Sequence, residues 1–415
     1  MSLKQEFITI QEKETTARVQ QSQVQAVRLK DITKKGVRVY QDGQIGISGA
    51  VGEVSEKLLL ENAKENLAAG IEYPYPLTKD RKDHRAYNDA PLSSGQVLEH
   101  AEEILAVLRS EYSDFTFSEF VASNEIRVQM KNSEGLDLEY QDAFFNVQLI
   151  LKEKSTANLF DGGLAYQSRQ VNLDRFLDFN RHFLEAYRNK VELPAGERLP
   201  VFTLGAAIPN GFLARSLHGE RFAKGSSLFS GKLGEELFSE KVSLDLLRDP
   251  KRSLRPFFDA EGVVLPESGI SLIERGRLLR VLTDKKTAKT YNLEHTGAAT
   301  GAYDDPPTID GAHGQSLFFR TDSADIKGVL GNQRAIFAFI FSGGDFTADG
   351  SYASPVQISF LFDGERLLGK LPEFTMRSHI NRMLGQDYIG TFDNESLYVG
   401  DIPTQLQGYY MTIVR

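Results

Sequence analysis

A chain of 415 residues is too long for one ordinary domain, so two or three are expected. Its 41% hydrophobic and 25% charged residues are the proportions of a globular protein, and no apolar run approaches the ~18 residues of a membrane-spanning helix. The formal net charge of -9 lacks the basic footprint that phosphate binding needs, which sets direct nucleic-acid partners aside. A cysteine count of 0 removes disulfides, thiolate nucleophiles and thiolate metal ligands together, as suits a reducing compartment. Met1 to Thr16 is polar and charged, without the apolar core of a signal peptide. A cytoplasmic location with no membrane contact is the expectation.

In chain order, Val37 to Ile47 alternates apolar and polar residues around Asp42-Gly43, a pair that accepts the positive φ of a two-residue hairpin turn. A helix is expected from Ser55, its N-cap, through Leu58, Leu59 and Ala63 to Leu67, stopping at Gly70. A second helix carries Leu98, Ala101, Leu105, Leu108 and Tyr112 at the spacing of one buried face. Ile126 to Leu151 reads as antiparallel strands that turn at Asn132-Ser133-Glu134-Gly135. A third helix begins after Asn172 and buries Leu173, Phe176, Leu177, Phe183, Leu184 and Tyr187.

Val191 to Pro200 holds two prolines and a glycine and is the expected linker. It divides the chain into an N-terminal α+β domain, 1–190, and a strand-rich domain, 191–415. Two hairpins in the second domain echo each other, Ile273-Glu-Arg-Gly276-Arg-Leu-Leu and Phe362-Asp-Gly364-Glu-Arg-Leu-Leu. They read as convergence on good turn chemistry rather than as a repeat. Ala335 to Phe341 is a continuous apolar run, as in a strand buried on both faces, and Gly343-Gly344-Asp345-Phe346 follows it. The fold class is therefore α+β in two lobes, with antiparallel sheets in the second.

Hydrolysis by zinc needs three protein ligands and an open position for water. The seven histidines are His84, His100, His182, His218, His295, His313 and His379, and no two lie within one helical turn. Neither His-Glu-x-x-His nor His-Glu-x-x-x-His occurs, and no Gly-x-Ser-x-Gly elbow offers a nucleophile. Gly225-Ser-Ser-Leu-Phe-Ser-Gly231-Lys232-Leu233 approximates a phosphate loop. It has one residue too many between the glycines, and Leu233 stands where a hydroxyl would hold Mg²⁺. The acidic pairs Asp304-Asp305 and Glu235-Glu236 read as solvated faces, the first followed by two prolines that enforce an extended loop.

Phe257-Phe258-Asp259-Ala260-Glu261-Gly262-Val263, Thr287-Ala288-Lys289 and Thr296-Gly297-Ala298-Ala299-Thr300-Gly301 together resemble the C-terminal domain of the TldD/PmbA family. Members of that family are known as metallopeptidases and as modulators of DNA gyrase. Gly343-Gly344-Asp345-Phe346 is similar to its Gly-Asp-Phe element, and Gly225-Ser226-Ser227 to its Gly-Ser/Thr-Ser element. Catalytic members carry His-Glu-x-x-x-His before the latter, with a Cys as a further ligand. Here the place is taken by Asn210-Gly-Phe-Leu-Ala-Arg-Ser-Leu-His218-Gly219-Glu220. The resemblance therefore implies the PmbA (TldE) side of the family, a chain with no catalytic residue and no metal ligand set of its own. Zinc is expected only in a TldD-like partner, as a dimer with that subunit or with itself, acting on a peptide substrate. Gly343, Gly344 and Asp345 are the candidates for substrate contact, and His218 with Glu220 for a degenerate metal site. Two alternatives stand beside this reading: a non-proteolytic interaction protein that modulates gyrase, and a hydrolase whose metal ligands are dispersed along the chain.

Overall fold

The computed structural model of the chain describes residues 2–158, 160–301, 306–309, 311–312, 316–322, 324–394, 397 and 400–415. Asp304, Asp305 and His313 lie outside the described residues.

The N-terminal lobe grows from a long ribbon. β1 (Lys4–Gln20) and β2 (Gln23–Gln41) run antiparallel, and β3 (Gln44–Val51) returns along the far half of β2. The β2–β3 turn is the expected one, with φ of 50° at Asp42 and 78° at Gly43. A two-residue turn of this hand matches the twist of its strands, which is why Asp-Gly fits. α1 (Glu56–Glu65) begins after Ser55 and runs on as a 3-10 turn to Gly70, which is left-handed. The Ser55 hydroxyl makes no capping bond, and Leu58 is exposed; Leu59 and Ala63 dock the helix.

β4 (Arg81–Ala86) precedes α2 (Ser94–Glu111), whose start is closed by a reciprocal box between Ser93 and Gln96. Its buried stripe is Val97, Ala101, Ile104, Leu105 and Leu108. Leu98, expected on that face, is exposed instead. Val97 takes the inward position, and one residue is about 100° of helix. β5 (Phe115–Asn132) and β6 (Leu136–Glu153) turn as expected, with the Asn132 carboxamide accepting the N–H groups of Glu134 and Leu136. β5 begins well before Ile126. β7 (Gly162–Ser168) adds to β6, and α3 (Leu173–Arg188) follows, capped by Asn172 on the Arg175 N–H. The sheet order is β3-β2-β1-β5-β6-β4, with β4 parallel to β6.

The C-terminal lobe begins with β8 (Arg198–Leu204), α4 (Pro209–Ser216) and α5 (Gly219–Ala223). β9 (Leu244–Leu246), β10 (Ile270–Glu274) and β11 (Arg277–Leu278) lead to α6 (Lys285–Tyr291), β12 (Leu317–Phe319) and α7 (Ile326–Leu330). β13 (Ala335–Phe341), β14 (Asp345–Phe346), β15 (Ser351–Phe362), β16 (Leu367–Lys370) and β17 (Phe374–His379) come next. α8 (Ile380–Met383), β18 (Tyr388–Asp393) and β19 (Gln405–Val414) complete the lobe. β9 to β12 form a four-stranded sheet in the order β11-β10-β9-β12. In the larger sheet β13 pairs with both β8 and β15, so β13-β8-β19-β17-β15 closes into a ring of five strands. Closure removes the open edges those strands would otherwise present. The two echoing hairpins differ in build: β10–β11 turns tightly at Arg275-Gly276, whereas β15–β16 spans four residues with Asp363 accepting from the Glu365 and Arg366 N–H groups. The turns share chemistry, not geometry.

The lobes share a core. Phe183 of α3 has its ring centroid 4.9 Å from Phe339 and 5.0 Å from Phe360, and Phe176 and Tyr187 join the same cluster as Phe202 and Phe337. Residues 191–197 cross between α3 and β8, and Val191 and Leu193 pack against a second core, that of Leu199, Val201 and Met376 in the C-terminal lobe. Among the described residues no helix is long and apolar enough to cross a membrane.

Candidate functional site

Two segments singled out in the sequence, Asn210 to Glu220 and Gly343 to Phe346, meet in the C-terminal lobe. α4 starts with Pro209, whose missing N–H costs nothing at that position, and buries Phe212 and Leu213. The Phe212 ring lies 4.8 Å from that of Phe346 on β14, which in turn lies 4.8 Å from Tyr352 on β15. This aromatic stack seats α4 against the Gly-Gly-Asp turn. On the solvent side, the Arg215 guanidinium stands 3.4 Å from Asp345 Oδ1, with both side chains about half exposed or more.

The glycines of that turn are accounted for by the chain's own packing. Gly343 has a φ of 80°, and a Cβ on Gly344 would stand 2.1 Å from the Ala353 carbonyl oxygen. The close backbone approach that the sequence suggests is therefore to β15. Beside it, the Gln357 carboxamide accepts the Ser342 N–H at 3.1 Å and donates to the Ser342 carbonyl at 3.3 Å. A side-chain amide completes the pairing that a neighbouring strand's peptide would supply.

His218 and Glu220 are near neighbours at the start of α5. The His218 carbonyl accepts the Phe222 N–H, and its own N–H donates to the Arg215 carbonyl. Glu220 accepts from Lys224 at 2.6 Å, one turn on, and that ammonium holds the carboxyl below the usual carboxylate range, with His218 and Lys286 adding to the effect. The carboxylate is committed to a solvated ion pair. A His-Glu-x-x-x-His pattern begun at Asn210 would put Asn210, Gly211 and Arg215 at its three functional positions. A neutral amide, a hydrogen and a permanently charged donor replace the metal-binding and basic groups. Among the described residues no three His, Asp or Glu side chains converge on a metal-sized site. The residues present do not fit zinc. Gly225 to Leu233 is likewise a turn-rich segment, pinned by the Ser227 hydroxyl on the Ser216 carbonyl and by buried Phe229.

Sequence reasoning gave Asp259 and Glu261 no role, yet they anchor a buried polar network at the lobe junction. Asp259 Oδ1 accepts from the Glu261 and Val263 N–H groups at 2.9 and 2.8 Å, and Oδ2 from the Ala299 N–H at 3.1 Å. Burial raises the Asp259 carboxyl, and the nearby Arg248 opposes it only in part. Glu261 reaches across to the other lobe: it accepts the Tyr73 hydroxyl at 2.5 Å and the Lys285 N–H at 3.0 Å, with His295 Nε2 at 3.8 Å. Burial alone would raise the Glu261 carboxyl; His295, Tyr73 and Lys285 outweigh it and hold it below the ordinary value. Next to it, Arg38 donates to Glu6 at 3.0 Å and to the Ala260 carbonyl at 2.6 Å. Alternating acids in Asp259-Ala-Glu261 were the available signal. Tyr73, which donates to Glu261, and Arg38, which donates to the Ala260 carbonyl between the acids, lie about two hundred residues away, so only the fold brings them together.

Residues 203–388 match the family model described as the PmbA/TldA metallopeptidase C-terminal domain. Fold and match together define a two-lobed α+β protein built around a metallopeptidase-type C-terminal domain. The whole chain is similar in fold to TldE from Thermococcus kodakarensis, at 19% identity, covering 99% of this chain and 97% of that one, with a TM-score of 0.77. A Thermotoga maritima protein named for a proposed modulation of DNA gyrase is similar at 16% identity over 99% and 95%, TM-score 0.72. Its counterpart from Bacteroides thetaiotaomicron is similar at 14% over 99% and 94%, TM-score 0.73. A protein of Methanothermobacter thermautotrophicus named metalloprotease is 34% identical over 101 residues, 23% of this chain and only 21% of that protein's length. Over residues 203–388, just under half of its length, the chain carries the C-terminal domain of the PmbA/TldA family.

Proposed function

We propose that this chain is the non-catalytic, PmbA/TldE-like subunit of a TldD/PmbA-type assembly that acts on unfolded or extended peptides. The observation that carries the reading is Arg215: within the segment matching the catalytic motif, α4 presents a guanidinium paired with Asp345. A fixed positive charge there repels a metal cation, and peptide hydrolysis needs an activated water and a stabilised oxyanion that metallopeptidases draw from the metal. Likeness to TldE over nearly the full length of both chains supports the same side of the family. In this reading zinc resides in a TldD-like partner, residues 1–190 and 191–415 act as the two domains, and the assembly works in the cytoplasm. The surface at Gly343, Gly344 and Asp345 then borders the substrate, and what this chain supplies is positioning of an extended peptide.

The test is cleavage of an unfolded polypeptide by this chain alone, by a TldD-like chain alone and by both together. Cleavage is expected only when the metal-bearing chain is present, and more of it with both. Chelator-sensitive cleavage by this chain alone would overturn the assignment.

A further inference from the structure

The longest unpaired strand edge of the N-terminal lobe belongs to β2. Lys34 to Gln41 pair with β3, and the Gly52 N–H donates to the Thr33 carbonyl. From Gln23 to Ile32 the strand is held by β1 on one side, and among the described residues no strand pairs with its other side. A register slip between Arg18 and Val19 leaves Gln25 as a bulge, so the regular stretch of this edge is Ala26 to Ile32. Such a row of free N–H and C=O groups is a template for another strand.

The side chains along the edge define what could bind. Val27 and Leu29 are 40% and 74% exposed, and they lie opposite Ala17 and Thr15 on one face of the sheet. Ala17 is part of the core under α2, so that face is the apolar one, continued outward by two uncovered side chains. Arg28 and Lys30 alternate with them on the other face. Lys30 reaches Glu12 at 3.4 Å; among the described residues Arg28 has no carboxylate partner.

A second copy of this chain is a poor occupant in the registers centred on Arg28, Leu29 and Lys30, those that pair the most of Ala26–Ile32. Antiparallel pairing through a two-fold axis normal to the sheet keeps each face on its own side, so each such register is centred on a residue. Centred on Arg28, it opposes Arg28 to itself; centred on Leu29, it opposes Arg28 to Lys30; centred on Lys30, it opposes Lys30 to itself. Like charges directly across a strand pair destabilise it, whereas opposite charges add to the ladder. Over Val27 to Lys30 the edge calls for carboxylates on one face and apolar side chains on the other; Asp31, next along the Val27 face, lies opposite Lys13 of β1.

We propose that the outer edge of β2 over Ala26–Ile32 receives an extended segment of another polypeptide that alternates apolar and acidic residues. Main-chain bonds to β2 supply the pairing, Val27 and Leu29 take the apolar side chains, and Arg28 with Lys30 take the carboxylates. This surface is separate from the α4–β14 patch, and its test does not depend on peptide cleavage.

Fluorescent peptides of about ten residues, alternating Val with Glu or Val with Lys, are titrated against the full chain by anisotropy. The Val/Glu peptide is expected to bind, about tenfold tighter than the Val/Lys peptide. The same Val/Glu sequence with alternate backbone nitrogens methylated should not bind. In the double variant Arg28→Glu, Lys30→Glu the preference should invert, while circular dichroism and unfolding midpoint stay those of the parent. Equal binding of both peptides, no binding of either, or an unchanged preference in the double variant overturns the proposal. Because the chain has no cysteine, Leu29→Cys gives a clean further arm: covalent dimers on oxidation would identify the edge as a contact between copies and overturn the proposed partner.

Discussion

At the lobe junction Glu6, Arg38, Asp259 and Glu261 are each 2% exposed or less, whereas Arg215, Asp345, Glu220 and Lys224 around α4 stand largely in water. Both places are rich in charge, but the consequences differ. A buried pair that loses one member leaves an uncompensated charge in a poor solvent; an exposed pair is replaced by water. Phe257 to Val263, one of the stretches that resemble the family, is thus a clamp between lobes. In the segment where the family's metal chemistry belongs, the exposed charges of Arg215 and Glu220 can change at little cost to the fold.

The sharpest way to break this contrast is Arg38→Ala. It strands Glu6 and frees the Ala260 carbonyl, and should cost about 3–5 kcal/mol in denaturant unfolding. A cost near that of a surface change would remove the distinction between the two regions. Gly344→Val comes next: its side chain would meet the backbone of β15, and a loss of about 1–3 kcal/mol is expected, visible without any substrate. If Gly344 were instead limited by substrate alone, stability would hold and only turnover in the mixed assembly would fall.

Acid sharpens the comparison further. The Glu261 carboxyl is depressed in the folded protein, so its contribution is present above the ordinary carboxylate value of about 4.3 and is lost as pH falls through the lower folded value. Glu261→Gln should therefore flatten the acid limb of a stability–pH curve, leaving the slope above pH of about 6 unaltered. Asp259 has the opposite sign, its raised value favouring the protonated form, and the Glu261 variant isolates one carboxyl from the other. The smallest effect belongs to Arg215→Ala, expected within about 0.5 kcal/mol of the parent because its partner Asp345 is solvated.

What the sequence made legible follows from where side chains sit. α3 buries every residue its spacing predicts, because one face meets the shared core and the other meets solvent. The Asp42-Gly43 and Asn132 to Gly135 turns are equally readable, since backbone conformation there depends on two or three residues. β1 and the near half of β2 were not: Gln23 to Asp31 is almost wholly exposed, so burial imposes no apolar alternation on it. Leu98 misled because neighbouring Val97 satisfies the helix equally well, and only packing chooses between them. At the candidate site, the missing metal pattern could be read from residue types alone. The Arg215–Asp345 contact, between segments 130 residues apart, could not.

The ring of five strands also dictates an order of events. β19 lies between β8 and β17, pairing Leu406 with Leu204 and Thr412 with Arg198, so the ring joins residues separated by about two hundred positions. Such closure carries a large entropic cost before any pairing rewards it. On the ribosome, β8 and β17, the two neighbours of β19 in the ring, must wait half-paired until Val414 has emerged. Until then their unpaired edges are open to chaperones and to mispairing, and a chain halted before Gln405 would retain the N-terminal sheet but leave the ring ajar.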